Sequence, residues 1–240
     1  MVKICDTIYN NDEYEKYFQS YSFPLSDFQK HAIEGIVNEK HVLVTAHTGS
    51  GKTLPAEFAI KHFHEKKKKV IYTSPIKALS NQKYYDFTQK FPDINFGLFT
   101  GDIKTNPEAD VLIMTTEILM NYLFTQNHQG VSNVDFQINI EEELGCVVFD
   151  EVHYINDEER GQVWEKTILM LPNHIQMVML SATIDNPTGF AEWCETSGDK
   201  EVYLCSTSHR VVPLYHYGFF TTVEGLYKGI GKEMEQKVKK

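Results

Sequence analysis

Five short apolar runs that alternate with stretches of helical spacing constrain the fold of this chain most strongly. The runs cover residues 41–45, 70–73, 111–114, 146–149 and 177–180, and helical spacing occupies residues 54–64, 77–91, 116–124 and 161–171. Nearly every side chain in the runs is apolar, as in strands of a parallel sheet that helices cover on both faces. We therefore expect a doubly wound α/β domain, whose ligands bind at the carboxyl ends of the strands.

Length and composition narrow the class of protein further. The 240 residues suffice for one large domain with its own core, and contents of 42% hydrophobic and 12% aromatic residues exclude wholesale disorder. No apolar run approaches the ~18–20 residues of a membrane span, and the amino terminus lacks a signal-peptide pattern. The four cysteines form no C-x-x-C pair, so we interpret them as reduced thiols of an intracellular protein, cytoplasmic or nuclear.

Charge and composition also suggest how the chain is organised. A net charge of −10 means that any nucleic acid must bind in a local groove rather than by global attraction. We expect a lead-in at residues 1–22, the main domain at 23–217 and a linker at 218–240. Residues 126–143 are predicted to be a surface insertion, with a short strand at 134–138.

A glycine-rich loop, A-H-T-G-S-G-K-T at residues 46–53, follows the first apolar run and precedes a helix. A phosphate-binding loop requires this context: its glycines let backbone amides face phosphate, Lys52 reaches the β- and γ-phosphates, and the Thr53 hydroxyl binds Mg²⁺. A glycine turn that only caps the helix is the alternative, but Lys52 would then oppose the helix dipole. The predicted ATP contacts in this loop are Ala46, His47, Thr48, Gly49, Ser50, Gly51, Lys52 and Thr53.

Two adjacent carboxylates, Asp150 and Glu151, end another apolar run. Their mutual repulsion would be relieved by a nearby cation, although an exposed acidic turn is the alternative. We predict that Asp150 holds Mg²⁺ through water, since that ion keeps part of its hydration shell. Glu151 is predicted to orient or deprotonate the attacking water. The predicted catalytic residues are Lys52, Asp150, Glu151 and His153.

Short hydroxylated residues follow the last apolar run, in S-A-T at residues 181–183. Alone this is weak evidence, because such residues commonly cap helices. Together with His153, Ser181 and Thr183 could form a hydrogen-bonded contact that senses the phosphate and couples ATP to movement. Near the amino terminus, Gln29 completes a capping box with Ser26, which gives it a structural explanation.

The chain resembles the first RecA-like domain of superfamily 2 DExH-box helicases, in particular the superkiller type that feeds RNA to the exosome. The resemblance spans residues 23–217. Its motifs are F-Q at 28–29, the loop at 46–53, Y-T-S-P-I-K-A-L-S-N-Q-K at 72–83, T-G-D at 100–102, M-T-T-E-I-L at 114–119, D-E-V-H-Y-I-N-D at 150–157, R-G at 160–161, L-S-A-T at 180–183 and V-V-P-L at 211–214. The block at 76–82 is specific to this group of helicases.

The resemblance implies an ATP-dependent RNA helicase with ATP and Mg²⁺ as ligands. Phe23 and Gln29 would contribute to ATP binding, the latter by recognising adenine through its amide. Segments that grip the sugar-phosphate backbone of a single strand would do so without reading its sequence. The residues matching those segments are Pro75, Lys77, Gly101, Asp102, Thr115, Thr116 and Glu117.

Some features depart from this group and leave alternatives open. Gly49-Ser50-Gly51 is more similar to the DEAD-box form, and the sequence has only two arginines, Arg160 and Arg210, with no second RecA-like domain. We therefore expect a fragment of a longer helicase or an unusually short relative. Expected partners are single-stranded RNA, a second RecA-like domain in the full-length protein and an RNA-decay complex. A DNA helicase, and an ATP- and RNA-binding module without efficient turnover, are the alternatives.

Overall fold

The computed structural model of the protein describes residues 1–127, 138–182 and 184–209, with residues 213, 215, 221–222 and 225–226 beyond them. Residues 1–209 form one compact unit and residues 210–240 another. Thr183 and Arg210, most of the expected strand at 134–138, and most of the segment at 211–214 lie outside the described residues.

A sheet of nine strands forms the centre of the first unit, within the residues described. The strands are β1 (Lys3–Cys5), β2 (His41–Ala46), β3 (Lys69–Ser74), β4 (Phe96–Phe99), β5 (Lys104–Thr105), β6 (Val111–Thr115), β7 (Leu144–Phe149), β8 (Gln176–Ser181) and β9 (Val202–Thr207). Their order is β1-β9-β2-β8-β7-β3-β6-β4-β5. Every neighbouring pair is parallel except β4 and β5. The predicted mostly parallel α/β sheet is confirmed.

Both faces of the sheet are buried, which explains why its central strands are apolar throughout. Successive side chains of a strand point to opposite faces. In β2, Val42 and Val44 belong to one hydrophobic cluster, whereas Leu43 belongs to the other. Polar residues at alternate positions would therefore have no solvent to face.

Helices separate cleanly between the two faces. They are α1 (Glu15–Phe18), α2 (Asp27–Val37), α3 (Leu54–Glu65), α4 (Lys77–Lys90), α5 (Thr116–Asn127), α6 (Gly161–Met170) and α7 (Pro187–Gly198). The first four contribute to one cluster and the last three to the other. The four helices predicted from spacing are confirmed as α3 to α6. Over the described ranges, no helix combines the length and apolarity needed to cross a membrane.

The amino-terminal segment and the end of the insertion are more closely integrated than the sequence suggests. Strand β1 lies within the predicted lead-in, yet it pairs in parallel with β9 at the edge of the sheet. At the end of the insertion, Ile138 is buried, and its backbone exchanges hydrogen bonds of 3.0 and 2.6 Å with the Tyr122 hydroxyl. All four cysteines are free and buried.

The second unit is described only in part. Within residues 210–240, β10 (Thr221–Thr222) and β11 (Gly225–Leu226) form an antiparallel pair. The expected linker at 218–240 otherwise lies outside the residues that are described.

Candidate functional site

The glycine-rich loop joins β2 to α3 and turns through two left-handed residues. Gly49 has φ +84° and Gly51 has φ +83°, a region that favours glycine. The Ser50 hydroxyl closes the turn by donating to the His47 carbonyl oxygen at 2.6 Å. Helix α3 starts directly after Thr53, so the loop places the amino end of a helix beside Lys52. Such an end attracts anions, because its backbone N–H groups point outward.

Gln29 connects the start of α2 to this loop. Its side-chain oxygen accepts a hydrogen bond from the backbone N–H of Ser26 at 2.9 Å, and its side-chain nitrogen donates to the Gly51 carbonyl oxygen at 3.1 Å. A Cβ at Gly51 would lie 2.6 Å from that nitrogen. The capping interaction predicted from sequence is confirmed, and the same amide also braces the loop. Phe23, the other residue outside the loop that is expected to bind ATP, is half exposed.

An ion pair joins the loop to the end of β7. The Lys52 ammonium lies 2.7 and 2.9 Å from the two carboxylate oxygens of Glu151. The Lys52 side chain is 10% exposed and that of Glu151 25%. Glu151 has φ 55° and ψ 45°, a left-handed conformation that costs a non-glycine residue about 1–2 kcal/mol. The chain thus turns sharply after β7 and presents this carboxylate to Lys52.

Asp150 is buried and held from several sides. One of its carboxylate oxygens, Oδ1, accepts the Glu151 backbone N–H at 3.0 Å, and Oδ2 accepts the Tyr72 hydroxyl at 2.6 Å. Burial and the adjacent Asp150 carboxylate raise the pKa of Tyr72 well above 10, so this phenol remains a donor. Lys83 Nζ lies 3.6 Å from Oδ2 of Asp150 and 3.5 Å from the Thr53 hydroxyl oxygen.

Tyr72 and Lys83 were not among the site residues predicted from the sequence. Both lie in the segment at 72–83, one of the motifs that carry the family resemblance. A tyrosine in an otherwise apolar strand carries a polar group that needs a buried partner, and this was the available signal. The partner, Asp150, is 78 positions away and could not be chosen from sequence alone.

Ser181 and His153 are not hydrogen-bonded to each other in this structure. Ser181 ends β8 and pairs in register with Thr45 of β2, beside the start of the loop. Its hydroxyl is buried and has no hydrogen-bond partner in the part of the chain that is described. His153 Nδ1 lies 3.4 Å from a Glu151 oxygen but lacks hydrogen-bonding geometry. The predicted sensing contact through Thr183 involves a residue outside the described ranges.

The residues expected to grip nucleic acid lie at or just beyond the ends of β3, β4 and β6. Lys77, Gly101 and Asp102 are exposed, and the Lys77 ammonium pairs with the Asp102 carboxylate at 2.6 Å. Pro75 and Thr115 are buried, and Glu117 is half-buried.

Thr116 is buried as well, and its hydroxyl lies 3.5 Å from the Ser74 carbonyl oxygen. That hydroxyl therefore faces the neighbouring strand. The exposed part of this group consists of Lys77, Gly101 and Asp102.

The order of the strands places the expected ATP site and the expected nucleic-acid surface along one edge of the sheet. The loop expected to bind ATP follows β2, the expected catalytic carboxylates follow β7, and the expected coupling residue Ser181 ends β8; these three strands are neighbours in the sheet. The nucleic-acid group lies at the ends of β3, β6 and β4, which continue the same row. Because these strands are parallel, their carboxyl ends all face the same side. The two predicted surfaces are therefore contiguous.

Comparison with known proteins identifies the family. The family model described as DEAD/DEAH box helicase matches residues 26–189. This chain belongs to the DEAD/DEAH box helicase family. The matched range holds the glycine-rich loop, Asp150 and Glu151. Among the described residues of this helicase domain, no group of three or more His, Cys, Asp or Glu could hold a metal ion by itself.

Similar full-length proteins include superkiller and exosome helicases. The chain is 47% identical over 196 residues to Antiviral helicase SKI2 of Saccharomyces cerevisiae, covering 82% of this chain and 14% of that protein. It is 44% identical over 209 residues to Exosome RNA helicase MTR4 of Homo sapiens, covering 87% of this chain and 19% of that protein. The resemblance drawn from the sequence is confirmed. The chain spans less than a fifth of the length of either relative.

A solved structure agrees on the fold. The DUF1998 helicase MrfA bound to DNA superposes with a TM-score of 0.62, covering 82% of this chain and 29% of that one. At 20% sequence identity this likeness supports the RecA-like fold alone.

Proposed function

We propose that this chain is the ATP-binding domain of an ATP-dependent RNA helicase, which couples ATP hydrolysis to translocation on nucleic acid and to its unwinding. The proposal rests on two contacts at one end of the sheet. Lys52 pairs with Glu151, and the ammonium of Lys83 lies between the Thr53 hydroxyl and the Asp150 carboxylate. Two cations and two carboxylates beside the amino end of a helix match the requirements of phosphoryl transfer to water.

In this proposal the loop binds the phosphates of ATP. Gly49 and Gly51 let the backbone curve so that amides face the phosphates, and Lys52 leaves Glu151 to neutralise them. Gln29 holds the loop at Gly51 and uses its remaining hydrogen-bonding capacity for adenine, near Phe23. Support comes from the braced loop and from the Lys52 ammonium, which lies beside the amino end of α3.

The two carboxylates at the end of β7 have different roles in this proposal. Thr53 and Asp150 would hold Mg²⁺, the latter through water, because this ion prefers oxygen ligands. Their hydroxyl and carboxylate oxygens both lie near the Lys83 ammonium. When bound, that ion neutralises phosphate charge. Tyr72 keeps Asp150 oriented by donating to Oδ2. Glu151, released from Lys52 when the phosphates bind, would take the proton from the attacking water.

RNA would bind along the neighbouring row of strand ends. Lys77 offers an exposed charge to the backbone, while Gly101 allows a close approach, since a Cβ there would lie 2.9 Å from Lys77 Nζ. Thr116 would support this surface by holding the ends of β3 and β6 together. RNA is preferred over DNA because a similar protein is described as Exosome RNA helicase MTR4. We infer that a second RecA-like domain and an RNA-decay complex are partners of the full-length protein, and that it acts inside the cell.

Binding measurements with the 240-residue chain test the two halves of this proposal separately. Lys52→Ala should weaken binding of a fluorescent ATP analogue by about tenfold to a hundredfold, the loss of a charge-assisted hydrogen bond of about 1.5–3 kcal/mol. Lys61→Ala, an exposed change in α3, is the matched control. Unchanged affinity in Lys52→Ala would refute the phosphate-binding role.

The RNA half is tested by fluorescence anisotropy with labelled single-stranded RNA and DNA oligomers. RNA should bind more tightly than DNA, and Lys77→Ala should weaken that binding. Equal or tighter binding of DNA would refute the RNA preference while leaving the ATP site intact.

A further inference from the structure

Lys83 points its charge into the candidate ATP site from α4, a helix outside the glycine-rich loop. Its side chain is 19% exposed, and its Nζ lies 3.5 Å from the Thr53 hydroxyl oxygen and 3.6 Å from Oδ2 of Asp150. The ammonium also lies 5.9 and 5.8 Å from the ring centroids of Tyr72 and Phe87. This side chain is thus held in place by its surroundings rather than extended into solvent.

Charges in the site pair one to one. Lys52 pairs with Glu151, and Lys83 pairs with Asp150. Asp150 is almost fully buried and has a neighbouring carboxylate, so without a cation it would suffer both desolvation and repulsion. Lys83 supplies that cation in the structure as it stands.

We propose that Lys83 acts as a built-in substitute for the divalent cation, occupying the space between Thr53 and Asp150 until a metal–nucleotide complex arrives. The proposal rests on the proposed function, in which those two residues hold Mg²⁺. Lys83 is a positioning residue: it keeps the Asp150 carboxylate oriented, and it competes with the metal for the space beside the Asp150 and Thr53 oxygens. An ammonium and a hydrated divalent ion that are attracted to the same carboxylate repel each other, so one must give way.

Two opposite consequences follow for a variant that lacks this charge. Without nucleotide, the variant should bind a divalent cation more tightly, because no ammonium competes for Asp150. Without metal, it should bind ATP less tightly, because the phosphates lose the second of two nearby lysines. A purely structural role for Lys83 would not shift metal and nucleotide affinity in opposite directions.

The experiment compares Lys83→Met with the wild-type chain. Methionine keeps an unbranched apolar side chain against Tyr72 and Phe87, and thermal unfolding verifies that the fold is retained. A fluorescent ATP analogue is titrated in MgCl₂ and in EDTA, and Mn²⁺ alone is titrated by electron paramagnetic resonance. The ratio of the dissociation constant in EDTA to that in MgCl₂ should rise about tenfold in Lys83→Met, the worth of one charged hydrogen bond. Mn²⁺ binding should tighten.

Two controls complete the design. Lys90→Met removes a charge from the same helix, where Lys90 pairs with Glu57 at 2.6 Å, and should change neither quantity. Lys83→Arg restores the charge and should return the ratio towards the wild-type value. If wild type binds nucleotide and Lys83→Met leaves the ratio unchanged, the role of Lys83 is refuted and the proposed function stands. If wild type binds no nucleotide in MgCl₂, both are refuted.

Discussion

Neutralising Glu151 should tighten nucleotide binding, because this carboxylate occupies Lys52 when no phosphate is bound. The Lys52 ammonium lies 2.7 and 2.9 Å from the two Glu151 oxygens, and little of its side chain reaches solvent. Lys52 can grip a phosphate only after this pair opens. Glu151→Gln removes the charge but keeps the size of the side chain and one oxygen that can still accept a hydrogen bond.

The size of the effect follows from that contact. A hydrogen bond to a charged group contributes about 1.5–3 kcal/mol, roughly twice the value for neutral partners. Glu151→Gln replaces two charged acceptor oxygens by one neutral amide oxygen, while the ammonium keeps its own charge. We therefore expect position 151 to hold Lys52 less firmly by about 1–1.5 kcal/mol, which corresponds to about fivefold to twelvefold tighter nucleotide binding. The lost repulsion between the carboxylate and the phosphates acts in the same direction.

The measurement is a titration of a fluorescent ATP analogue in MgCl₂, with the wild-type chain and Glu151→Gln side by side. Glu158→Gln, the same change at an exposed position nearby, is the control and should leave affinity unaltered. Unchanged or weaker binding in Glu151→Gln alone would show that opening the ion pair with Lys52 does not limit nucleotide binding.

Two further predictions concern the stability of the fold in acid and the rate of ATP hydrolysis by the 240-residue chain. His41 is buried, its Nδ1 accepts the Met177 backbone N–H at 3.0 Å, and burial lowers its pKa to about 3. In the unfolded chain, His41 has the ordinary histidine pKa of about 6.5. Between pH 6.5 and 3 the unfolded state therefore binds a proton that the folded state does not, and the free energy of unfolding falls by about 1.4 kcal/mol per pH unit as the pH falls. Urea unfolding at pH 7 and 5 should show a smaller loss in His41→Asn, and an equal loss would contradict this. The 240-residue chain should hydrolyse ATP very slowly and respond little to single-stranded RNA, because an arginine finger worth about 10³–10⁵ in rate is expected from a second domain. Robust RNA-stimulated turnover in a steady-state assay would refute that expectation.

Features that depend on local chemistry could be predicted from the sequence. Continuous apolar runs such as β7 and β8 reveal strands buried on both faces, and their order with helices indicates a parallel sheet. The conformation of the glycine-rich loop could be predicted as well, because glycine readily adopts the positive φ angles found at Gly49 and Gly51.

Features that depend on which strands become neighbours could not be predicted. Tyr72 meets Asp150 because β3 lies beside β7, with Thr73 paired to Phe149. No periodicity encodes that register. Strand β1 is three residues long, too short for any alternation to be recognised, and it belongs to the sheet only because β9 offers it an edge.

Gln29 shows why two sequence interpretations need not exclude each other. The sequence indicates both a capping role and a role beside the nucleotide for this residue. In the structure one end of the amide caps α2 while the other contacts Gly51 of the loop. A side chain with separate donor and acceptor atoms can serve both local structure and a distant segment.

The very short strands at the two margins of the sheet have a consequence for solubility. Strand β1 has three residues and β5 has two, so few unpaired backbone groups face outward at either margin of the sheet as described. Open edges of long apolar strands are templates for pairing with other chains. Behind β1 lies the six-residue strand β9, with the sequence V-Y-L-C-S-T. Removing residues 1–5 would expose this strand and convert a protected margin into a site for aggregation.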